Sequence, residues 1–340
     1  MRRVGWLGWT MLLGGAGYVL ARRLGRRTPL AGAIALVTGG SRGLGLVLAR
    51  QLGERGMRVV LTARDEEELE RARAGLEARG IDATALPGDV TDEEGMRTLV
   101  ADVEENLGPV DLLVNNAGII QVGPSEAMTL EDYRRAMETM FYGAVHAAEA
   151  VLPGMRARRR GTIVNVTSIG AAVGIPHLAP YDAAKFALRG WSEALGAEAA
   201  KHGVSVVTIV PGLMRTGSFG HALVKGKRYA EASLFSLVSS LPLITLDAER
   251  AARRIVRAVE HGERVVVIGV PAKLLRLAHA LFPGLIVRTL GLVNRLLPGP
   301  QPEEREGMAL PAELYRRGLA RSILTALGER AAKKYNEEPA

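Results

Sequence analysis

Tyr181 and Lys185 stand four positions apart, at the start of the helix-like run Tyr181–Lys201. Residues four apart share one face of a helix, so the lysine ammonium can lie beneath the phenol. A phenol ordinarily titrates near pH ~10, and a neighbouring cation favours its anion. The pair therefore indicates a general acid/base. An exposed helix pair without a chemical role is the alternative.

A glycine-rich turn forms a second candidate site, between the first predicted strand and the helix-like run Leu46–Arg55. It reads Thr38-Gly39-Gly40-Ser41-Arg42-Gly43-Leu44-Gly45. Glycines permit a tight turn and close backbone approach, while the free amides and positive dipole end of the next helix attract pyrophosphate. The turn predicts phosphate binding, with a purely structural turn as the alternative.

Further motifs follow in order along the chain: Asp89-Val90 after the third predicted strand, Asn115-Asn116-Ala117-Gly118 at the end of the fourth, Ser168 at the end of the fifth, and Pro211-Gly212 after the sixth, with Thr216 beyond. With the glycine turn and the Tyr181/Lys185 pair, this set resembles the short-chain dehydrogenase/reductase family over residues 33–270. The resemblance implies an oxidoreductase that moves a hydride between a nicotinamide cofactor and a carbonyl carbon.

The resemblance also assigns roles to these residues. It implies that Ser168 holds the substrate oxygen, that Tyr181 is the acid/base, and that Lys185 also binds the nicotinamide ribose. A helix cap or a turn is the alternative role for Ser168. The resemblance implies further cofactor contacts at Asp89, Val90, Asn116, Ala117, Gly118, Pro211, Gly212 and Thr216.

The choice between NADP(H) and NAD(H) depends on the end of the second predicted strand. An acid there would favour NAD, but the strand ends in Leu61-Thr62-Ala63-Arg64. Arg64 and Arg42 are cations suited to a 2′-phosphate, so we expect NADP(H). The alternative is that either arginine pairs with Asp65 or faces solvent; Asp65 lies one position too late to be the NAD acid.

Met140 departs from the family pattern. The family usually has asparagine at this position and uses it to hold a water in a proton relay that ends at the lysine. A thioether is only a weak acceptor. Two main functions therefore remain open: an active enzyme, or a membrane-associated NADP(H)-binding protein with weak or no turnover. A third, an anchored interaction protein that only keeps the fold, is less favoured because Tyr181, Lys185 and Ser168 are all retained.

The elements that must position these residues alternate along the chain between short apolar runs and runs with helical apolar spacing. This alternation is typical of a parallel sheet covered by helices. We expect an α/β fold: a Rossmann-type doubly wound parallel sheet of about seven strands, with helices on both faces, in one main domain over residues 31–270. The predicted strands are Ala33–Thr38, Arg58–Thr62, Thr84–Leu86, Leu112–Asn115, Thr162–Val166, Ser205–Val210 and Arg264–Ile268. The predicted helices are Glu66–Arg79, Leu130–Leu152, Tyr181–Lys201 and Ala248–His261.

Residues 1–27 are predicted to be a membrane anchor. The run Val4–Ala21 has no charged residue, and arginine pairs flank it. A signal peptide is the alternative, but no convincing cleavage site follows. Four arginines after the run against two before it place the following domain on the cytoplasmic side.

Beyond residue 270 we expect two short apolar helices in residues 271–300, with Pro283-Gly284 between them and four scattered cations. They could lie in a membrane interface, cap the substrate cleft or contact a partner in a homo-oligomer. Residues 301–340 are expected to form a polar tail with one helix around Pro311–Lys333 and a frayed end. The apolar residues after Ser168 and in the region 213–241 suggest a lipophilic ketone, aldehyde or alcohol as substrate.

Composition excludes several other classes. The chain has no cysteine, so it has neither disulfides nor thiolate metal ligands, and its six histidines show no metal-ligand spacing. The formal net charge is +8, but residues 1–30 hold six arginines and no acids, which leaves +2 for the remainder. We therefore expect no metal site and no nucleic-acid binding, which needs cations spread over a folded face.

Overall fold

The computed structural model describes residues 30–242, 244–300, 308–309 and 326–337. Its main feature is a seven-stranded parallel sheet, which confirms the predicted α/β doubly wound fold. The sheet contains β1 (Ile34–Thr38), β2 (Arg58–Ala63), β3 (Ala83–Pro87), β4 (Val110–Asn115), β6 (Gly161–Val166), β7 (Val204–Pro211) and β11 (Val265–Ile268). The spatial order is β11-β7-β6-β4-β1-β2-β3.

Helices cover both faces of this sheet. They are α1 (Gly43–Gly53), α2 (Glu66–Glu77), α3 (Glu93–Asn106), α4 (Leu130–Met137), α5 (Gly143–Ala157), α6 (Ala179–Ala199), α7 (Arg228–Ser240) and α8 (Ala248–Glu260). The core residues of α1, α2 and α8 pack on one face, and those of α3, α5 and α6 pack on the other. In β1, Ala35 and Val37 face the first layer while Ile34 and Leu36 face the second, as the two-residue period of a strand requires.

The order of the strands creates a crevice at the carboxyl ends of β1 and β4. β1 lies between β2 and β4, so the chain winds outward from β1 in opposite directions. In open α/β sheets, ligands bind outside the carboxyl ends of the strands at such a switch point. The glycine turn follows β1 and the Asn115–Gly118 segment follows β4, so both lie at this crevice.

One predicted helix is wrong in detail. The run Leu130–Leu152 is divided into α4 and α5 by a π-helical turn at Glu138–Tyr142. A capping box formed by Thr129 and Asp132 begins α4, in agreement with the role of such residues at a helix start. The π turn contains Met140, and such turns inside α-helices are frequent at functional sites.

Short strands and helices complete the fold. β8 (Met214–Arg215) pairs with β10 (Leu246–Asp247), while β5 (Gln121–Val122), β9 (Leu223–Val224) and β12 (Met308–Ala309) form a second small sheet. The two predicted apolar helices are present as α9 (Val270–Leu281) and α10 (Pro283–Asn294). No single helix in the described part of the chain is long and apolar enough to cross a membrane; α9 and α10 together have the length and composition but bend by 119°.

The two ends of the chain compare differently with the predictions. The predicted anchor, residues 1–27, lies outside the described residues, as does most of the predicted tail helix. A helix α11 (Ala326–Lys334) is described. The expectation of a frayed end is wrong for residues 335–337, because they pack against the glycine turn, where Tyr335 is 3% exposed and Glu337 is 4% exposed.

Candidate active site

Ser168, Tyr181 and Lys185 meet at the carboxyl end of β6. Ser168 follows this strand by two residues, and the other two lie in the first turns of α6. The Ser168 side chain hydrogen-bonds to the Tyr181 phenol and also accepts a hydrogen bond of 3.1 Å from the Gly170 backbone N–H. The structure thus brings the three predicted residues together.

Lys185 is buried against the strand that carries Ser168. Its side chain is 5% exposed, and its Nζ donates a hydrogen bond of 3.0 Å to the Val166 carbonyl oxygen. The same nitrogen lies 5.8 Å from the centre of the Tyr181 ring. Burial lowers the pKa of Lys185 to about 8, because desolvation disfavours the ammonium.

The Tyr181 phenol is held in its neutral form. Burial raises its pKa to about 12; the hydrogen bond to Ser168 acts in the opposite direction, and the nearby Asp182 raises the pKa further. Burial therefore outweighs the lowering expected from a neighbouring cation. At neutral pH the phenol carries its proton, which is the form that can donate to a substrate oxygen.

Asp182 was not predicted from the sequence, although it adjoins Tyr181. It is 5% exposed, its Oδ2 accepts a hydrogen bond of 2.5 Å from the Ile175 backbone N–H, and burial raises its pKa to about 7. A Cβ on Gly170 would collide with its Oδ1. Asp182 therefore ties the segment after Ser168 to the start of α6.

A buried chain of polar side chains behind the site was also missed. Asn115 Nδ2 donates to Asn165 Oδ1 at 2.8 Å, Asn165 Nδ2 donates to Ser192 Oγ at 2.9 Å, and Ser192 Oγ lies 2.7 Å from Thr208 Oγ1. The chain links β4, β6 and β7 to α6. These hydrogen bonds hold α6 against the sheet, while Asn115 Oδ1 has no hydrogen-bond partner among the described residues.

Met140 lies beside Lys185, where the family pattern has asparagine. It is 1% exposed, and a Cβ on Gly118 would lie 3.5 Å from Met140 Sδ and 3.7 Å from Lys185 Nζ. The thioether and the ammonium therefore flank the same glycine. The methionine packs in a small apolar cluster with Ala136, Ala184 and Tyr181.

The glycine turn has the close backbone contacts that a dinucleotide site needs. Gly39 and Gly43 adopt φ values of 61° and 56°, which favour glycine. A Cβ on Gly45 would overlap the Gly39 carbonyl oxygen. Thr38 Oγ1 accepts hydrogen bonds of 3.1 Å from the N–H groups of Asn116 and Ala117, which joins the two loops of the crevice.

Of the residues predicted to hold the adenosine end, Arg42 contacts Glu68 on α2, and Arg64 lies near Asp89. Arg42 Nη1 is 2.6 Å from Glu68 Oε2, and the Ser41 hydroxyl donates to the other oxygen of that carboxylate. Arg64 is 69% exposed and lies 3.9 Å from Asp89. Asp65 instead caps α2 by accepting from the Glu68 N–H at 2.8 Å, so neither arginine pairs with it.

The remaining predicted cofactor residues lie along the same crevice. Val90 is buried, with its carbonyl oxygen 3.0 Å from His146 Nδ1. Pro211 ends β7, and the Gly212 N–H donates to Ile268 of β11 at 2.9 Å. Thr216 is 5% exposed and hydrogen-bonds to Ser218. Their roles toward a cofactor stay predictions.

The donor set fits a dinucleotide better than a metal. The turn offers amides at the start of α1 that no side chain caps, a cradle without Cβ atoms and adjacent cations, which together suit a pyrophosphate and a phosphate. Among the described residues there is no group of three or more His, Asp or Glu side chains that could hold a metal ion.

Comparison with known proteins gives consistent matches. Residues 33–223 match the sequence profile of the family described as short chain dehydrogenase. The chain is 38% identical over 187 residues to gluconate 5-dehydrogenase of Gluconobacter oxydans, which covers 55% of this chain and 73% of that protein. It is 36% identical over 210 residues to 3-ketodihydrosphingosine reductase of Bacteroides thetaiotaomicron, covering 60% of this chain and 74% of that protein.

Solved structures agree with the sequence matches. A short-chain dehydrogenase from Streptomyces avermitilis has a TM-score of 0.67 and 32% identity, over 78% of this chain and 98% of that one. A gluconate 5-dehydrogenase from Burkholderia cenocepacia, in complex with NADP and tartrate, has a TM-score of 0.63 and 27% identity, over 72% and 96% of the two chains.

Proposed function

Because this chain belongs to the short-chain dehydrogenase/reductase family, whose members are NAD(P)-dependent oxidoreductases that act on CH–OH groups, we propose that it interconverts a lipophilic ketone or aldehyde and its alcohol with NADP(H). The observation that carries the proposal is the meeting of Ser168, Tyr181 and Lys185 beside the glycine turn, with a neutral and partly buried phenol.

The site residues act on the substrate oxygen. Bound cofactor supplies the hydride to the carbonyl carbon in the direction of reduction. Ser168 and Tyr181 hold the carbonyl oxygen, and the Tyr181 phenol donates its proton to that oxygen as negative charge develops there. Lys185 lies close enough to stabilise the phenolate that remains. In reduction the neutral phenol is the proton donor, and in oxidation the phenolate would be the proton acceptor.

NADP(H) is favoured over NAD(H) by charge. Arg42 and Arg64 flank the end of β2, where a 2′-phosphate would lie. Arg42 is paired with Glu68 in the present arrangement and is 37% exposed, so it can turn toward a phosphate. Arg64 is largely exposed and has only a distant partner in Asp89.

A lipophilic substrate is favoured by the wall that follows Ser168. Ile169, Ala172 and Val173 are buried in one apolar cluster with Ala272 of α9, and Leu275, Ile286 and Leu290 pack against it. The α9–α10 pair, residues 270–294, therefore covers the substrate side of the site. An apolar wall of this kind suits a hydrocarbon chain or ring.

The outer face of the α9–α10 pair supports membrane association. Its large apolar side chains are more than half exposed at several positions: Val270, Leu274, Leu277, Leu281, Phe282, Leu285, Val287 and Leu292. Residues 271–300 contain four Lys or Arg residues and no acids. An apolar face with cations suits the interface of an anionic bilayer. With the segment 1–27 as a second anchor, we propose that the catalytic domain lies at the cytoplasmic face of a membrane.

Charging this face is expected to release the protein. The test uses a chain that lacks residues 1–27. In it, Leu274→Glu together with Leu285→Glu should weaken binding to anionic vesicles at least about tenfold, since the insertion of each leucine into the bilayer contributes about 2 kcal/mol. Vesicle flotation measures the effect. The control is Leu130→Glu on α4, whose side chain is 73% exposed. Free solubility of the intact chain without proteolysis, or a concentration-dependent dimer that buries α9–α10, would contradict the membrane assignment.

The alternative function is cofactor binding with little or no turnover. The observation that favours it is Met140, which places a thioether beside Lys185. A relay water needs two or more polar partners, and the thioether is a weak one. Of the protein's side chains, hydride transfer from the cofactor needs only Tyr181, Lys185 and Ser168, but resupply of the Tyr181 proton would be slow.

Met140→Asn distinguishes the two functions. We expect it to raise turnover by up to about tenfold, equivalent to about 1.4 kcal/mol in the barrier, and to lower stability, because an unpaired buried amide costs about 1–3 kcal/mol. The measurement is nicotinamide absorbance with NADPH or NADH and a panel of lipophilic carbonyls. Met140→Leu, which keeps an apolar side chain, is the control. If both the original protein and Met140→Asn bind NADPH and reduce nothing, the binding function replaces the enzymatic one.

A further inference from the structure

Residues 335–337, here termed the C-terminal tripeptide, are bonded to the glycine turn. The Gly43 N–H, at the start of α1, donates a hydrogen bond of 2.8 Å to the Tyr335 carbonyl oxygen. Asn336 Nδ2 donates to the Ser41 carbonyl oxygen at 3.0 Å and to that of Glu68 at 3.3 Å. The tripeptide therefore uses backbone groups of the turn that was predicted to bind phosphate.

The Glu337 carboxylate lies over the start of α1. A Cβ on Gly43 would collide with its Oε1, and its Oε2 is 3.7 Å from Arg42 Nε and 3.5 Å from His221 Nε2. Asn336 adopts φ 58°, a left-handed conformation that asparagine tolerates, and this turns the chain toward the site. The Glu337 carboxyl group, at a helix N-terminus beside an arginine, occupies the position that suits a pyrophosphate.

The hydrogen bonding of the Glu337 side chain is incomplete. Glu337 is 4% exposed, and its Oε2 has no hydrogen-bond partner among the described residues. A buried polar oxygen without a partner is costly. The tripeptide thus occupies the site with an interaction that a better-satisfied anion can replace.

The helix before the tripeptide has its own anchors. A Cβ on Gly217 would collide with Ala332, and one on Gly328 would collide with Ser240, so α11 packs closely on the region 213–241. Lys334 Nζ also lies 3.1 Å from Glu249 Oε1 on α8. The side chains of Asn336 and Glu337 can therefore leave the turn while α11 stays in place, with the Glu337 N–H bonded to the Ala332 carbonyl oxygen.

We propose that the C-terminal tripeptide is a built-in competitor of the cofactor: it occupies the pyrophosphate part of the site, and a dinucleotide binds only after displacing it. The inference rests on the proposed function, since it requires that the glycine turn binds a dinucleotide. The apparent affinity for the cofactor is then reduced by the fraction of molecules in which the turn is free.

The competition depends on pH. Burial raises the pKa of Glu337 to about 8; the cation Arg42 opposes this and the anion Glu68 adds to it, while His221 faces the same carboxylate. Because the docked pKa is above the ordinary value of 4.5, docking is strongest when the carboxyl is protonated. Docking weakens as the pH rises from 4.5, the ordinary pKa, through about 8, the docked pKa.

The test compares NADPH dissociation constants, measured by fluorescence titration or calorimetry, in full-length protein and in a variant that lacks residues 335–340. We expect the deletion to tighten binding about tenfold at pH 6.5 and less at pH 8.5, through the gain in free sites. The control lacks only residues 338–340 and should match the full-length protein. Comparison at equal pH removes the titration of the cofactor itself.

Point variants and a second measurement keep the inference testable if the deletion variant does not fold. Glu337→Ala should also tighten NADPH binding, while Glu337→Gln, which mimics the protonated carboxyl, should stay docked and lose the pH dependence. Hydrogen exchange at residues 335–337 of the full-length protein should accelerate when NADPH is added. Equal affinity in all variants with unchanged exchange overturns the inference and leaves the proposed function intact; absence of NADPH binding in every variant overturns both.

Discussion

Tyr181→Phe is expected to lower turnover by about 10²- to 10⁴-fold, the usual contribution of a positioned acid/base, while NADPH binding changes little. The phenylalanine fills the same space but has no proton to donate. Ser168 keeps its hydrogen bond from the Gly170 N–H, so the pocket around the substrate oxygen should persist. Single-turnover NADPH oxidation with a reducible carbonyl measures the chemical step, and calorimetry measures cofactor binding.

The control for this variant is Tyr229→Phe on α7, where the ring is 62% exposed; it should leave both quantities unchanged. Thermal unfolding should show that Tyr181→Phe is folded. Turnover within threefold of the original would remove the acid/base role from Tyr181.

The pH profile should show Lys185 titrating near pH 8, above Asp182, whose pKa is raised to about 7. The pKa of Tyr181 is raised to about 12, so the phenol keeps its proton through the neutral range. The pKa of Lys185 is lowered to about 8, so its charge is lost as the pH rises through that value. Reduction should therefore decline above pH 8, because the phenolate formed by proton donation loses its neighbouring cation.

The central sheet and the glycine turn were predictable because their signals are local. Each strand is a short apolar run, and the glycines that the turn requires are adjacent in sequence. The Tyr181/Lys185 pair was equally accessible, since a helix fixes the relation between residues four apart. Bounds differed by a few residues at the ends of β3 and α6.

Two of the missed features depend on residues far apart in the chain. Asn336 bonds to Ser41 across 295 positions, and no local pattern marks a carboxylate that returns to the first turn. The Asn115–Asn165–Ser192 chain likewise joins three separate elements. The π turn at Met140 was also missed, because apolar residues continue through it at three- and four-residue spacing, as in an uninterrupted helix.

Glu68 changes how the cofactor preference must be tested. It accepts hydrogen bonds from both Ser41 and Arg42 and is 6% exposed. The arginine predicted to bind the 2′-phosphate is thus already paired with a buried carboxylate. A free phosphate group offers more acceptor oxygens than this carboxylate, and charge-assisted hydrogen bonds to it are strong.

Replacing Arg42 and Arg64 together by serine is expected to weaken NADPH binding about 10²- to 10⁴-fold, since each charge-assisted hydrogen bond contributes about 1.5–3 kcal/mol. NADH lacks the 2′-phosphate, so its dissociation constant should change by less than about threefold on the same argument. The ratio of the two constants is the measured quantity. This ratio cancels the effect of removing Arg42 from its contacts with Glu68 and Glu337, because that effect is common to both cofactors.

Arg97→Ser is the matched control for this double variant. Arg97 is an exposed arginine on α3, paired with Glu93 at 2.9 Å and outside the crevice. It should leave the ratio unchanged, as an exposed ion pair of this kind contributes little. If the original protein binds NADPH and NADH equally, or if the double variant weakens both to the same extent, the two arginines do not read the 2′-phosphate. The site would then be an NAD(P) site without preference.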